Sequence, residues 1–282
     1  AAMIKYLGSK RALLPWITGV VKFIHRHEPI QTILDPFSGS ARVGHALKGA
    51  GFHVIASDYA AYACTLAKAL IESDARDYPP TRIQPLLDHL NALPGQPGWF
   101  TEKYAEKARF FQPHNAARIE HIRKAIDELA AGDENLRAIL LTSLLIAADK
   151  VDSTTGLQMA YLKKWAPRAY QPLRLSYPPL LPGRGMALQL DALEAVQSYP
   201  ADLVYLDPPY NQHSYLANYH IWETLVRFDN PPTYGVAQKR MDTRHRKSPF
   251  NSRQAAPQAL ARLFQAIRAK VILLSFNNEG FF

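Results

Sequence analysis

The sequence predicts an α/β fold, a mostly parallel sheet broken by one large insertion, and three features point there. A short apolar run is followed by a helix-period segment and a second run, each run closing in an acid; further apolar runs return only late in the chain. The 282 residues suffice for one large domain or for a domain carrying a substantial insertion.

Thr32-Ile33-Leu34-Asp35 is the first run, and Pro36-Phe37-Ser38-Gly39-Ser40 after it reads as a tight turn. Residues 41–50 carry Val43, Ala46, Leu47 and Ala50 on one helical face, with Gly51 placed to end the helix. Phe52-His53-Val54-Ile55-Ala56-Ser57-Asp58 reads as a second buried strand. Strand, helix and strand make a βαβ unit, which is parallel. Later strands are expected at 186–190, 203–206 and 271–275. Roughly 125 residues separate the second and third strands, whereas a crossover needs about a dozen, so most of the interval is an insertion. Within it, residues 79–113, rich in Pro and Gly, read as irregular, while 114–131 and 134–150 have helical periodicity and are split by Gly132. No internal repeat is present.

Lys and Arg total 33 against 24 Asp and Glu, a formal charge of +9, which favours a polyanionic partner. The single cysteine, Cys64, excludes an intrachain disulfide framework and suits the cytoplasm. No apolar run approaches the roughly 18 residues of a membrane span, and Ala1-Ala2-Met3 lacks the pattern of a targeting segment. The pairs His25 with His27 and His213 with His220 have no Cys or Glu at ligand spacing, so no metal is expected.

The basic residues cluster. Residues 153–190 hold Lys163, Lys164, Arg168, Arg174 and Arg184 with no acid, interleaved with Tyr161, Trp165, Tyr170 and Tyr177, a mixture suited to phosphates and bases. Residues 239–247 contain Arg244, Arg246 and Lys247 and read as a mobile loop, equally a solvated surface or a DNA-phosphate contact. Lys150, in the polar run 148–156 that ends the second helix, reads equally as part of a helix terminus and as a phosphate contact.

The sharpest chemical signal is Asp207-Pro208-Pro209-Tyr210 straight after the apolar run 203–206. Open α/β sheets bind ligands at the carboxyl ends of their strands. An exocyclic base amine is a poor nucleophile until its N–H bonds are held by acceptors. Asp207 offers a carboxylate, Pro208 a carbonyl between ring-locked residues, and Tyr210 a face on which a base taken out of the duplex can stack. Asn211 and Tyr215 read as lining that pocket, while Tyr219, His220 and Trp222 read equally as core.

With Lys5-Tyr6-Leu7-Gly8-Ser9-Lys10, Asp35-Pro36-Phe37-Ser38-Gly39-Ser40, the insertion, Asp207-Pro208-Pro209-Tyr210 and residues 274–280 in that order, the chain resembles the alpha group, or D12 class, of DNA adenine-N6 methyltransferases. The resemblance implies a Rossmann-like sheet and S-adenosyl-L-methionine as methyl donor. The donor would be held by residues matching Tyr6, Lys10, Asp35, Phe37, Ser38, Gly39, Ser40, Asp58 and Tyr59, with Asp191, expected at the end of the third strand, at the donor's adenine. It implies catalytic roles for Asp207, Pro208, Pro209 and Tyr210. It also implies a catalytic domain of residues 3–76 and 178–282 and a target-recognition domain of residues 77–177 contacting double-stranded DNA, with Lys150, Lys163, Lys164, Trp165, Arg168, Arg174, Arg244, Arg246 and Lys247 as the DNA-facing set. A cognate restriction endonuclease is the protein partner that this reading brings with it.

Two departures stand out. Ala41 occupies a place where the family usually has a further glycine, and Phe282 follows the strand that family members continue with another strand pair, so edge strands are expected to be missing. Among rivals, a cytosine-C5 enzyme needs a nucleophilic cysteine, and Cys64 has no proline before it. Cytosine-N4 enzymes usually carry Ser at the first position of the tetrapeptide, and protein-glutamine or RNA enzymes Asn. A DNA-binding member without activity is the alternative of a different class.

Overall fold

In the computed structural model the described residues are 3–7, 10–209 and 214–275. Tyr210, Asn211, Gln212, His213, Gly8, Ser9 and the end of the family motif at 276–280 therefore lie outside the described residues. The chain divides into two compact units, one formed by Gly8–Asp74, Leu180–Ser214 and Lys247–Phe282, the other by Ala1–Leu7, Ala75–Pro179 and Tyr215–Arg246.

The first unit is built on five strands, β1 (Thr32–Asp35), β2 (His53–Ser57), β3 (Met186–Leu188), β4 (Leu203–Leu206) and β5 (Val271–Leu274). All pairs are parallel, in the order β3-β2-β1-β4-β5. Every residue of β4 and all but the first of β1 and β2 are buried, as expected of parallel strands covered on both faces. The helices Arg42–Gly49, Ala61–Ala67, Ala192–Ser198 and Ala256–Ala266 connect them. The core gathers Leu34, Ile55, Val204 and Leu206 from the strands with Val196, Phe250 and Leu263. The order runs β1-β2-β3 in one direction and β4-β5 in the other, so β1 and β4 are the neighbours at which it reverses. Their carboxyl ends are where such a sheet opens a ligand crevice. The third strand is shorter than its apolar run, stopping at Leu188. Beyond it the Leu190 carbonyl accepts a hydrogen bond from the Ser57 hydroxyl instead of a ladder N–H.

The second unit is mainly helical. Pro113–Leu129 and Glu134–Lys150 match the two expected helices, and Asp133 caps the latter by accepting the Leu136 N–H at 2.9 Å. Glu134–Lys150 is buried on nearly all sides and forms the axis of this unit. The expected irregularity of residues 79–113 is corrected: Pro80–Ala92 is a helix, followed by the turns Trp99–Thr101 and Glu102–Lys107. Pro80 starts that helix, where its missing N–H costs nothing. The spacing of Ile83, Leu87 and Leu90, all fully buried, outweighs the proline inside, Pro85.

The expected mobile loop at 239–247 is also corrected. Lys239–Arg240 pairs antiparallel with Thr233–Tyr234, and a 3-10 turn follows at Met241–Arg244. Arg240 is 1% exposed because its guanidinium reaches both oxygens of Asp229, at 2.7 and 2.8 Å, and Asp242 at 3.1 Å. Buried charges elsewhere are also paired. The Glu120 carboxylate accepts N–H bonds from Gly98, Phe100 and Thr101, and Arg123 donates to the Leu225 and Val226 carbonyls. No helix among the described residues is long and apolar enough to cross a membrane.

Candidate active site

The turn after β1 is shaped by carboxylates and small residues. Asp35 is 2% exposed and accepts the Phe37 N–H at 3.1 Å. The Ser38 N–H donates to the Ser57 carbonyl at 3.0 Å, tying the turn to β2. Gly39 has φ 50° and donates its N–H to Asp58 Oδ2 at 2.9 Å, while Asp58 Oδ1 accepts the Ala60 N–H at 3.0 Å. Asp58 thus braces the turn on two sides. Ala41, fully buried, opens the helix Arg42–Gly49 with φ 65°, the left-handed region that glycine enters without cost. The Ser38 hydroxyl is buried with no hydrogen-bond partner among the described residues, a group built to be met by something else.

Asp207 follows β4 directly, and its carboxylate lies 3.3 Å from the Lys10 ammonium, the side chains being 21% and 12% exposed. Pro208 is buried and Pro209 half-buried. Burial pushes the Asp207 carboxyl up to about 6, with Lys10 pulling it back. Burial also pushes Asp35 up to about 8. The Phe37 N–H opposes that rise, and the negative fields of Asp207 and Asp58 add to it. Two carboxylates, Asp58 and Asp207, whose fields raise the proton affinity of a third, Asp35, at one end of a sheet make surroundings that favour a cation.

The remaining donor-site expectations fall into two groups. Phe37 packs edge-on against Phe250 at 5.2 Å, Ser40 is buried, and the Tyr59 carbonyl accepts from Gln189. Asp191 is exposed and lies beyond β3, where it caps the helix Ala192–Ser198 by accepting the Glu194 N–H. Tyr6 belongs to the helical unit. Its ring stacks on Tyr219 at 4.6 Å and on Tyr215 at 5.2 Å. Lys5 beside it is held by Asp149 and Asp152, residues of the polar run 148–156 that the sequence offers equally as a helix terminus and as a target contact. Burial pushes Asp149 up to about 7 against the pull of Lys5.

The basic set divides as well. Lys150, Lys163, Lys164, Arg174 and Lys247 are exposed. Arg168 is 2.8 Å from Asp152, and Arg246 is 3.1 Å from the fully buried Glu223, so both charges are engaged within the protein. Arg244 lies over the Tyr234 ring at 4.0 Å, and Arg109 reaches the faces of Tyr161 and Trp165. Among the described residues no group of three or more His, Cys, Asp or Glu could hold a metal.

A strand-end Asp-Pro-Pro beside a carboxylate-lined turn at the sheet's reversal point is the core of one family's pattern. The family model for D12 class N6 adenine-specific DNA methyltransferases matches residues 6–276, and the chain belongs to that family. Among curated proteins it is similar to Modification methylase StsI of Streptococcus sanguinis, 31% identical over 98% of this chain and 44% of that protein. It is 28% identical to Modification methylase LlaI of Lactococcus lactis subsp. lactis over 98% of this chain and 46% of that protein. Type II methyltransferase M.NlaIII of Neisseria lactamica is 29% identical over 98% of this chain and 84% of its own length. The chain thus spans about half the length of the first two relatives and most of the third.

Proposed function

We propose that this chain transfers a methyl group from S-adenosyl-L-methionine to the N6 amine of an adenine turned out of double-stranded DNA, as the modification partner of a restriction endonuclease. The observation that carries the reading is Asp207 at the carboxyl end of β4, paired with Lys10 and sharing its electrostatic surroundings with buried Asp35. The donor's fit is supported by the carboxylates Asp35 and Asp58 and by the Ser38 hydroxyl, which has no partner among the described residues. A sulfonium compound supplies a methyl group on a positively charged sulfur, and negative side chains favour that charge.

In this reading Asp35, Phe37, Ser38, Gly39, Ser40, Asp58 and Tyr59 hold the donor together with Lys10 and Asp191. Asp207 accepts one N–H of the target amine, and the Pro208 carbonyl accepts the other. The nitrogen lone pair is thereby drawn out of conjugation and toward the methyl carbon. Tyr210 stacks on the extruded base and offsets part of the unstacking cost of a few kcal/mol. Residues 77–177 act as the target-recognition segment, with the exposed Lys150, Lys163, Lys164, Arg174 and Lys247 at phosphates. Acting on DNA, the chain would work in the cytosol or nucleoid.

Tritiated donor incubated with adenine-containing duplexes tests this. Label enters the DNA with the wild-type chain and is absent with Asp207→Ala, while donor affinity stays within about two-fold, because Asp207 serves the amine. Persistent transfer by Asp207→Ala defeats the assignment of roles.

A further inference from the structure

After the 3-10 turn Pro167–Tyr170, residues 171–177 of the helical unit form neither helix nor strand, yet side chains from three helices hold their backbone. Asn115, fully buried in Pro113–Leu129, donates its amide N–H groups to the Ala169 and Gln171 carbonyls at 3.2 and 2.8 Å, and its own carbonyl accepts the Leu173 N–H at 3.0 Å. Asn91, in Pro80–Ala92, brackets Leu175 in the same way, at 2.8 and 2.9 Å. Ser143, in Glu134–Lys150, donates to the Ser176 carbonyl at 2.9 Å, and Arg118 donates to the Leu173 carbonyl. These side chains take the place of a strand ladder for the buried backbone, and Leu173 and Leu175 turn inward, 2% and 1% exposed.

The same anchoring fixes what the segment shows to solvent. Gln171 donates its N–H to the Arg168 carbonyl at 3.1 Å and accepts from Asn115 on its carbonyl, so both sides of the residue are held while its side chain is exposed. The Gln171 amide has no partner among the described residues. Tyr170 beside it is 58% exposed, Arg174 is exposed, and residues 153–190 contain no Asp or Glu that would repel a phosphate. A cation that attracts phosphates needs no fixed backbone, whereas a neutral amide that discriminates by hydrogen-bond geometry does.

We propose that Gln171 is a specificity-determining residue for the DNA sequence, its amide pairing with the N6 and N7 edge of an adenine in the major groove, and that Asn115 is its positioning residue. The inference rests on the reading of residues 77–177 as the target-recognition segment. The adenine that Gln171 reads stays stacked in the duplex, so it is a different base from the one that receives the methyl group.

For the test, the wild-type chain and donor are first incubated with random-sequence duplexes, and the methylated sites are sequenced. Gln171→Ala, Gln171→Glu and Asn115→Ala are then compared with the wild type on that site and on duplexes changed at one base pair at a time. For Gln171→Ala, kcat/KM on the wild-type site is expected to fall about ten- to hundred-fold, and the preference at one A·T position away from the methylated base to relax to within about three-fold. The slope of log affinity against log salt stays as in the wild type, because no charge is lost. Gln171→Glu, whose carboxylate can only accept, is expected to move the preference at that position toward cytosine. Asn115→Ala relaxes the same position through the backbone; should it fail to fold, the two variants of exposed Gln171 decide the matter. In Gln171→Ala, an equal loss on every duplex, an unchanged preference or a reduced salt slope overturns this assignment and leaves the proposed function standing. A wild-type chain that methylates no duplex overturns both.

Discussion

Asp207 accepts an amine hydrogen most strongly while ionised, and burial brings its carboxyl up to about 6 even with Lys10 at 3.3 Å. Activity is therefore expected to fall as pH drops through about 6, with a slope of one proton in kcat/KM. Lys10→Met removes the charge that restrains the shift, so the acidic limb moves to higher pH; a limb that stays in place would show that Lys10 does not tune Asp207. Asp35 behaves in the opposite sense toward a ligand. Between its ordinary value of 3.8 and about 8 the folded chain keeps a proton there that the unfolded chain has lost, so this group costs stability as pH rises through that window. A cationic donor favours the ionised form. At pH 7 donor binding is expected to release up to one proton, with affinity rising toward pH 8, as measured by titration calorimetry in buffers of different ionisation enthalpy. Asp35→Asn abolishes the release.

At the scale of elements, the turn after β1 holds a residue whose geometry its identity does not advertise. Ala41 stands at φ 65°, a conformation costing an L residue roughly 1–2 kcal/mol, part of which glycine returns through its greater unfolded-state freedom. Ala41→Gly is expected to stabilise the chain by about 0.5–1 kcal/mol in urea unfolding, and a loss of stability would mean that the buried methyl matters more than the strain. The basic surface offers a second contrast. Changing both Lys163 and Lys164 to Gln is expected to lower the slope of log affinity for DNA against log salt by about two. Arg246→Gln leaves that slope unchanged and lowers thermal stability, because it strips a charged partner from fully buried Glu223.

Across the whole molecule, the order of apolar runs and the two acid-ended strands were enough to predict a parallel sheet with a long interruption. Local sequence decides whether a run is apolar and what closes it, and five parallel strands follow from those runs. Asp207 and the β1 turn were legible for the same reason: each is a contiguous motif whose chemistry travels with it. The helix Pro80–Ala92 and the paired segment at Lys239–Arg240 were not, because burial of Ile83, Leu87 and Leu90 and the pairing of Arg240 with Asp229 depend on partners distant in the chain. The same holds for Lys5 with Asp149 and Asp152, which are about 145 positions apart and whose connection no local pattern records. By itself, the sequence determined the strands of the parallel sheet, the acids Asp35, Asp58 and Asp207 that end or follow them, and the family. Only the tertiary structure decided which charges are spent inside the protein, since desolvation and pairing depend on what folding brings together.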